Sequence, residues 1–198
     1  MYCWSVGKGF SGLLILFLLF SCGRRTPGPE IFSFDSLREN QTKLLAESKA
    51  SLKKTILVNQ EKDEKNLGPV DQTIWEKELD YISLLNEINK PLSGDLYTVV
   101  DGKKDKESNL LIKEISANQS AKIAYVRIYY LENLKNIKKI EALVEEKNYL
   151  YASQKFIVWE FQHHNGQPLL TRATLNGTQK MVIGDTVQFS INTRVIFP

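Results

Sequence analysis

The spacing of apolar residues changes character along the chain, and each change predicts a different kind of element. Residues 13–20, "LLILFLLF", are continuously apolar. From Ser33 to about residue 65, Leu37, Leu44, Leu45, Leu52 and Ile56 recur on one helical face with Lys, Glu and Gln opposite, which predicts one long surface helix. Ser33, Asp35 or Ser36 caps it, and Ser36 followed by Glu39 fits a capping box. The stretch "NLGPV", residues 66–70, breaks that helix. Asp71 then opens a second helix, in which Trp75, Leu79, Ile82, Leu85 and Ile88 keep helical spacing until Asn89, Lys90 and Pro91 end it. Such a stripe is expected to pack on the domain's own sheet.

After Pro91 the period shortens to two. "LYTVV", "NLLIKEIS" and "KIAYVRIYYL" read as successive strands. Within residues 134–146, Leu134, Ile137, Ile140 and Leu143 suit a helix, but Ile140, Ala142 and Val144 alternate, and a strand is the simpler choice. "KFIVWEFQHH" and "QPLLTRATL" flank Asn165 and Gly166, and a second Asn-Gly pair, Asn176 and Gly177, precedes "TQKMVI". Asn-Gly favours the positive-φ geometry of two-residue hairpins, so both pairs are expected to be turns. Another strand follows Gly184 and Asp185, with Val187, Phe189, Ile191, Val195 and Phe197 expected to be buried on one face. The result is an α+β class: an N-terminal helical pair (33–91) packed on a C-terminal antiparallel β-meander (92–198), in one domain spanning 33–198.

The apolar run at residues 13–20 is too short to span a bilayer, which needs about twenty apolar residues. Lys8 ahead of it and a small residue behind it follow the order of a secretory signal. Leu19-Phe20-Ser21-Cys22 resembles the lipobox of bacterial lipoprotein precursors, and with its short tether the chain looks like a small lipoprotein of the Bacteroidota type. That resemblance implies a signal peptide over 1–21, cleavage between Ser21 and Cys22, and diacylglycerol on the Cys22 thiol. A thiolate is the side-chain nucleophile best suited to such alkylation. Two or three acyl chains then anchor the protein, at about 0.8 kcal/mol per buried methylene. Residues 22–32, beginning "CGRRTPGPE", form the tether. In the lipoproteins it resembles, acidic residues after the lipidated cysteine accompany export to the cell surface. Arg24 and Arg25 stand there instead, so the resemblance implies the periplasmic face of the outer membrane as the expected location.

Charge narrows the range of partners. The net charge of +3 falls to about +2 once residues 1–21, with their one lysine, are removed, and no nucleic-acid partner is expected. The cysteines are Cys3 and Cys22, so a mature chain carries no thiol for a disulfide, metal or nucleophile. His163 and His164 are adjacent beside a turn, and neighbours in a strand point to opposite faces. Residues 101–107, "DGKKDKE", read as a charged hairpin loop without the spacing of a calcium site. Glu145 and Glu146 read as surface charge. With no nucleophile elbow, phosphate loop or zinc-protease motif, no catalytic residue, metal or cofactor is expected.

The aromatic residues Tyr125, Tyr129, Tyr130, Tyr149, Tyr151, Phe156, Trp159 and Phe161 crowd neighbouring strands and are expected mainly to fill the core. Tyr129, Tyr151, Trp159 and Phe161 are the candidate surface for a hydrophobic ligand or a partner. The function these features support is a membrane-anchored, non-enzymatic binding or assembly module with an envelope protein as partner. The alternative is a carrier of a lipid or other hydrophobic ligand, resembling periplasmic lipoprotein carriers in which a curved sheet cups helices. If Cys22 carries the lipid, Cys22→Ala abolishes fatty-acid labelling and releases the protein from sedimented membranes. Labelling that survives the substitution refutes the assignment.

Overall fold

The computed structural model describes residues 30–90, 94–164 and 166–198. The proposed signal peptide, Ser21, Cys22 and most of the tether therefore lie outside the described residues. Among the described residues no helix is long and apolar enough to cross a membrane.

Helix α1 (Phe34–Glu47) is capped by Ser33, whose side chain accepts the Ser36 amide. It ends much earlier than the hydrophobic spacing predicts. Lys49 takes φ +52, its amide bonds to the Ala46 carbonyl, and the Ala50 amide reaches back to Leu45. This is a Schellman ending with a lysine where glycine is usual, and Leu45 and Ala50, both fully buried, supply its apolar contact. The chain leaves that cap extended, as β1 (Ser51–Val58), turns at Asn59 (φ +54), and returns as β2 (Glu61–Leu67). The expected single long helix is thus a helix followed by a hairpin, and residues 33–91 are not wholly helical. "TILV" explains the change: β-branched and aliphatic residues fit a pleated surface once a neighbouring strand is available.

The second helical segment begins where predicted. Asp71 caps α2 (Gln72–Glu78) through the Ile74 amide, at 2.9 Å. The segment then tightens into a 3-10 helix over Asp80–Asn89. Ile82, Leu85 and Ile88 recur every three residues, the period of that helix, so one edge stays buried along its length.

Among the described residues the strands join one antiparallel sheet in the order β2-β1-β9-β8-β7-β6-β5-β4-β3. Its later members are β3 (Tyr97–Lys104), β4 (Leu111–Ala117), β5 (Ile123–Tyr130), β6 (Ile137–Lys147), β7 (Tyr151–His164), β8 (Gln167–Met181) and β9 (Thr186–Ile196). From β3 to β9 each strand pairs with the next, forming the expected meander. Residues 137–147 are a strand, as the alternation of Ile140, Ala142 and Val144 predicts, and all three are buried. The β1–β2 hairpin attaches to β9 from an earlier part of the chain. At one edge β2 is exposed throughout, and its alternating "EKDEK" charges discourage further strand addition.

The helices cover one face of the sheet. Trp75, Phe34, Leu45, Ile82 and Leu85 from the helices meet Trp159, Ile140, Ile128, Ile115 and Leu52 from the strands, each at most 1% exposed. Gln41 pins α1 to the sheet: its Nε2 donates to the Pro168 carbonyl and its Oε1 accepts the Leu170 amide, both at 2.8 Å.

Three turn and burial expectations change. His164 pairs with Gln167 across a two-residue turn containing Gly166 at φ +79, as predicted, with Asn165 outside the described residues. Asn176 and Gly177, by contrast, lie within β8 and pair on both sides. Gly177 has no side chain because a Cβ there would meet the Phe189 ring and stand 2.9 Å from the Gln154 carbonyl oxygen. Residues 101–104 belong to β3, which bulges at Gly102 (φ +78), and the loop is confined to residues 105–110. Val187, Phe189 and Ile191 alternate as predicted but are only half-buried, because this part of β9 lies beyond the fully covered core around Val195.

Gly177→Ala is therefore expected to destabilise the fold by about 1–3 kcal/mol through overpacking. Phe189→Ala in the same chain should recover part of that loss, and chemical denaturation of the single and double variants measures both terms.

Candidate functional site

The four aromatic candidates do not converge. Trp159 and Phe161 face the helices within the core. The Trp159 indole N–H donates to the Tyr81 hydroxyl at 3.2 Å, and the two rings stack at a tilt with centroids 5.5 Å apart. Burial pushes the Tyr81 hydroxyl up to about 12, so it stays protonated. Tyr151 shares this face but lies at the strand end, half-buried, donating to Glu146 at 3.3 Å. Tyr129 projects from the opposite face, because Ile128 aligns with Ile140 and Trp159 while Tyr129 aligns with Lys139 and Glu160.

That opposite face carries a charged lattice. Glu114 accepts from Lys103 at 2.7 Å and from two nitrogens of Arg127 at 2.9 and 3.1 Å. The Arg127 guanidinium lies 4.6 Å from the Tyr125 ring centroid. Tyr129 donates to Glu141 at 2.8 Å, and Lys139 bridges the same carboxylate at 2.9 Å while standing 4.0 Å over the Tyr129 ring. Lys103, followed by Arg127, holds the Glu114 carboxyl below its ordinary range. Burial, reinforced by Glu141, pushes the Tyr129 hydroxyl well up. Each carboxylate in this lattice is tied to a cation, which suits sheet cohesion better than proton transfer.

The other chemical candidates are dispersed. His163 and His164 close the β7–β8 hairpin opposite Pro168 and Gln167. Among the described residues no three His, Cys, Asp or Glu side chains are grouped to hold a metal. Glu145 accepts from Gln154 at 2.8 Å, whereas Glu146 pairs with Lys122 at 2.9 Å.

A shallow depression of about 350 Å³ crosses the charged face where β1, β9, β8 and β7 run side by side. Leu57 and Phe156 form its apolar walls, with Asn176, Ser190, Gln188 and Thr178 between them. Ser190 and Asn176 hydrogen-bond across the floor at 2.7 Å. Sequence reasoning missed this site because it placed Leu57 in a helix and Asn176 in a turn. The available signal was that Leu57 ends an otherwise polar run of its strand face, after Ser51, Lys53 and Thr55.

Comparison with known proteins finds no matching family model, no matching curated protein and no matching solved structure.

The lattice has a pH signature. The Glu114 carboxyl titrates below its ordinary value of 4.5 in the folded chain, so its stabilisation is complete above that value and is lost as pH falls towards the lowered folded value. The stability gap between wild type and Glu114→Gln should be widest near neutrality and narrow below about pH 4.5. Urea titrations across the acid range measure it, and a gap that widens on acidification contradicts the pairing.

Proposed function

We propose that this chain is a lipid-anchored lipoprotein of the bacterial envelope, on the periplasmic face of the outer membrane, acting as a non-enzymatic binding or assembly module. The observation that carries the binding role is the packing between helices and sheet. Trp75, Trp159, Phe34 and the Ile82, Leu85 and Ile88 edge fill that interface, directing recognition to the outer surface. The Leu57–Phe156 depression offers a mixed surface: apolar walls supply contact area, and Asn176, Ser190 and Gln188 supply hydrogen bonds that orient a peptide segment of an envelope partner. The anchor rests on the lipobox resemblance around Cys22. Nine residues from Cys22 to Glu30 give a reach of about 30 Å, enough to present the domain above a membrane.

The carrier alternative draws on one feature, the layering of helices against one face of a wide antiparallel sheet. It requires the space now taken by Trp159 and Tyr81 to open for an acyl chain.

A photoreactive amino acid placed separately at Phe156 and Trp159 in the full chain distinguishes the two. The binding module predicts a discrete protein adduct from position 156, lost on Leu57→Asp without a change in the unfolding midpoint, and no lipid adduct from position 159. A lipid adduct from position 159 transfers the reading to the carrier.

A further inference from the structure

At the sheet end opposite the Gly166 turn, two connections carry large apolar side chains into solvent. Residues 148–150 join β6 to β7, and residues 182–185 join β8 to β9. Tyr149 is 99% exposed, Ile183 90%, and Leu150 and Val182 70% each, with Met181 beside them. The two connections are one unit. The Val182 amide donates to the Leu150 carbonyl at 2.9 Å, and Met181 pairs with Tyr151. Asn148 Oδ1 accepts the amides of Leu150 and Tyr151 at 2.8 and 2.9 Å, holding the first turn in shape. Such a contiguous apolar patch, set on ordered turns, calls for an occupant.

We propose that this protrusion is a membrane-insertion tip that dips into the interfacial layer of a phospholipid bilayer. Its form is a knob rather than a groove, so it suits a fluid surface that closes around it. Tyr149 adds an amphipathic ring of the kind that settles at headgroup level. One residue behind the tip, Lys147 and Lys180 flank Ala152 on neighbouring strands, and neither forms an ion pair among the described residues. Lys122 and Lys155 lie near them and share Glu146. The other nearby acids are Glu145, bound to Gln154, and Asp185 on the returning side of the second turn. A pair of lysines behind an apolar end matches anionic headgroups above acyl chains.

The placement of the chain's entry agrees. The 3-10 helix runs from Tyr81, against Trp159 in mid-sheet, towards Glu87, whose charge acts on Tyr97 at the start of β3. Tyr97 opens β3 at the tip end of the sheet, and Asn89 closes the 3-10 helix by accepting the Ile31 amide. Ile31 therefore stands on the tip side of mid-sheet, towards the β3 edge and level with about Lys155 and Gly177. The inference rests on the proposed membrane anchoring for the surface that the tip meets.

The test uses the full chain carrying Ile183→Trp, purified in detergent from host membranes and reconstituted into phosphatidylcholine vesicles with or without phosphatidylglycerol. Trp75 and Trp159 are fully buried, and the unsubstituted protein supplies the baseline. The expected result is blue-shifted emission from the introduced indole, with quenching by bromine-labelled phosphatidylcholine that increases in the anionic vesicles. Lys147→Glu with Lys180→Glu should remove the anionic increment, and Val182→Asp should abolish the quenching while near-ultraviolet dichroism of the core remains native. Unquenched, water-like emission in both vesicle types overturns the proposal. So does a blue shift that appears without lipid as protein concentration rises, which marks a contact between copies. Mass analysis of Cys22 on the same sample separates the two readings: quenching with an unmodified cysteine refutes the anchor alone, and an acylated cysteine without quenching refutes the tip alone.

Discussion

Strand β8 is longer than the partner on one of its sides. Its pairing with β9 reaches only to Arg172 opposite Arg194, and beyond the irregularity opposite Glu160 its first residues have β7 alone. The Pro168 carbonyl and the Leu170 amide would then be buried without partners, at a cost of about 1–3 kcal/mol each. The Gln41 side chain meets both, acting as a short piece of missing strand. This one amide fixes where α1 lies. Through Leu45 and the Schellman ending, α1 in turn sets where β1 begins and how the hairpin joins β9.

With α1 held there, the two faces of the sheet have different tasks. The helix-covered face is a close-packed interior in which both buried tryptophans take part, and Trp159 has a hydroxyl partner to satisfy its N–H. The opposite face is kept in register by ion pairs across strands, of which Lys103–Glu114–Arg127 is the most densely bonded. Exposed pairs of this kind contribute modestly one by one, and their value here lies in networks that join three groups at a time. The charged lattice thins towards β1 and β9, where Leu57, Phe156 and neutral hydrogen-bonding side chains replace it. That change from ion pairs to neutral polar and apolar side chains is the chemical setting of the proposed recognition surface.

The part of the sheet beyond the main core has its own constraint. Gly177 leaves space for the Phe189 ring to lie against the backbone, which protects apolar surface that no helix covers. Farther out even that device ends, and Tyr149, Leu150, Val182 and Ile183 stand in solvent on hydrogen-bonded turns. The molecule thus grades from a helix-covered core, through aromatic cover of a glycine, to an apolar tip.

The sequence by itself determined what depends on near neighbours. Local pattern marked the start of β3, β4 to β7, including residues 137–147, and β9, while β8 reads locally as two strands parted at Asn176 and Gly177; Asp71 and Gly166 marked a helix start and a turn. The stripe from Trp75 to Ile88 identified a buried face, although its three-residue spacing belonged to a 3-10 helix. The Cys22 motif likewise belongs to local reading, and it lies outside the described residues. Tertiary structure decided whatever depends on a distant partner. Residues 51–58 have a spacing that serves a helix or a strand, and they become a strand because β9, which places Ile191 opposite Ile56, offers an open ladder. Asn176 and Gly177 carry a turn signature, yet both neighbouring strands pair with them, and the Phe189 ring turns the missing side chain into a packing requirement. The depression and the tip arise only when those segments are brought side by side. Local sequence encodes period and turn preference, whereas hydrogen-bond partners 129 residues apart, such as Gln41 and Leu170, are chosen by the packing of the whole chain.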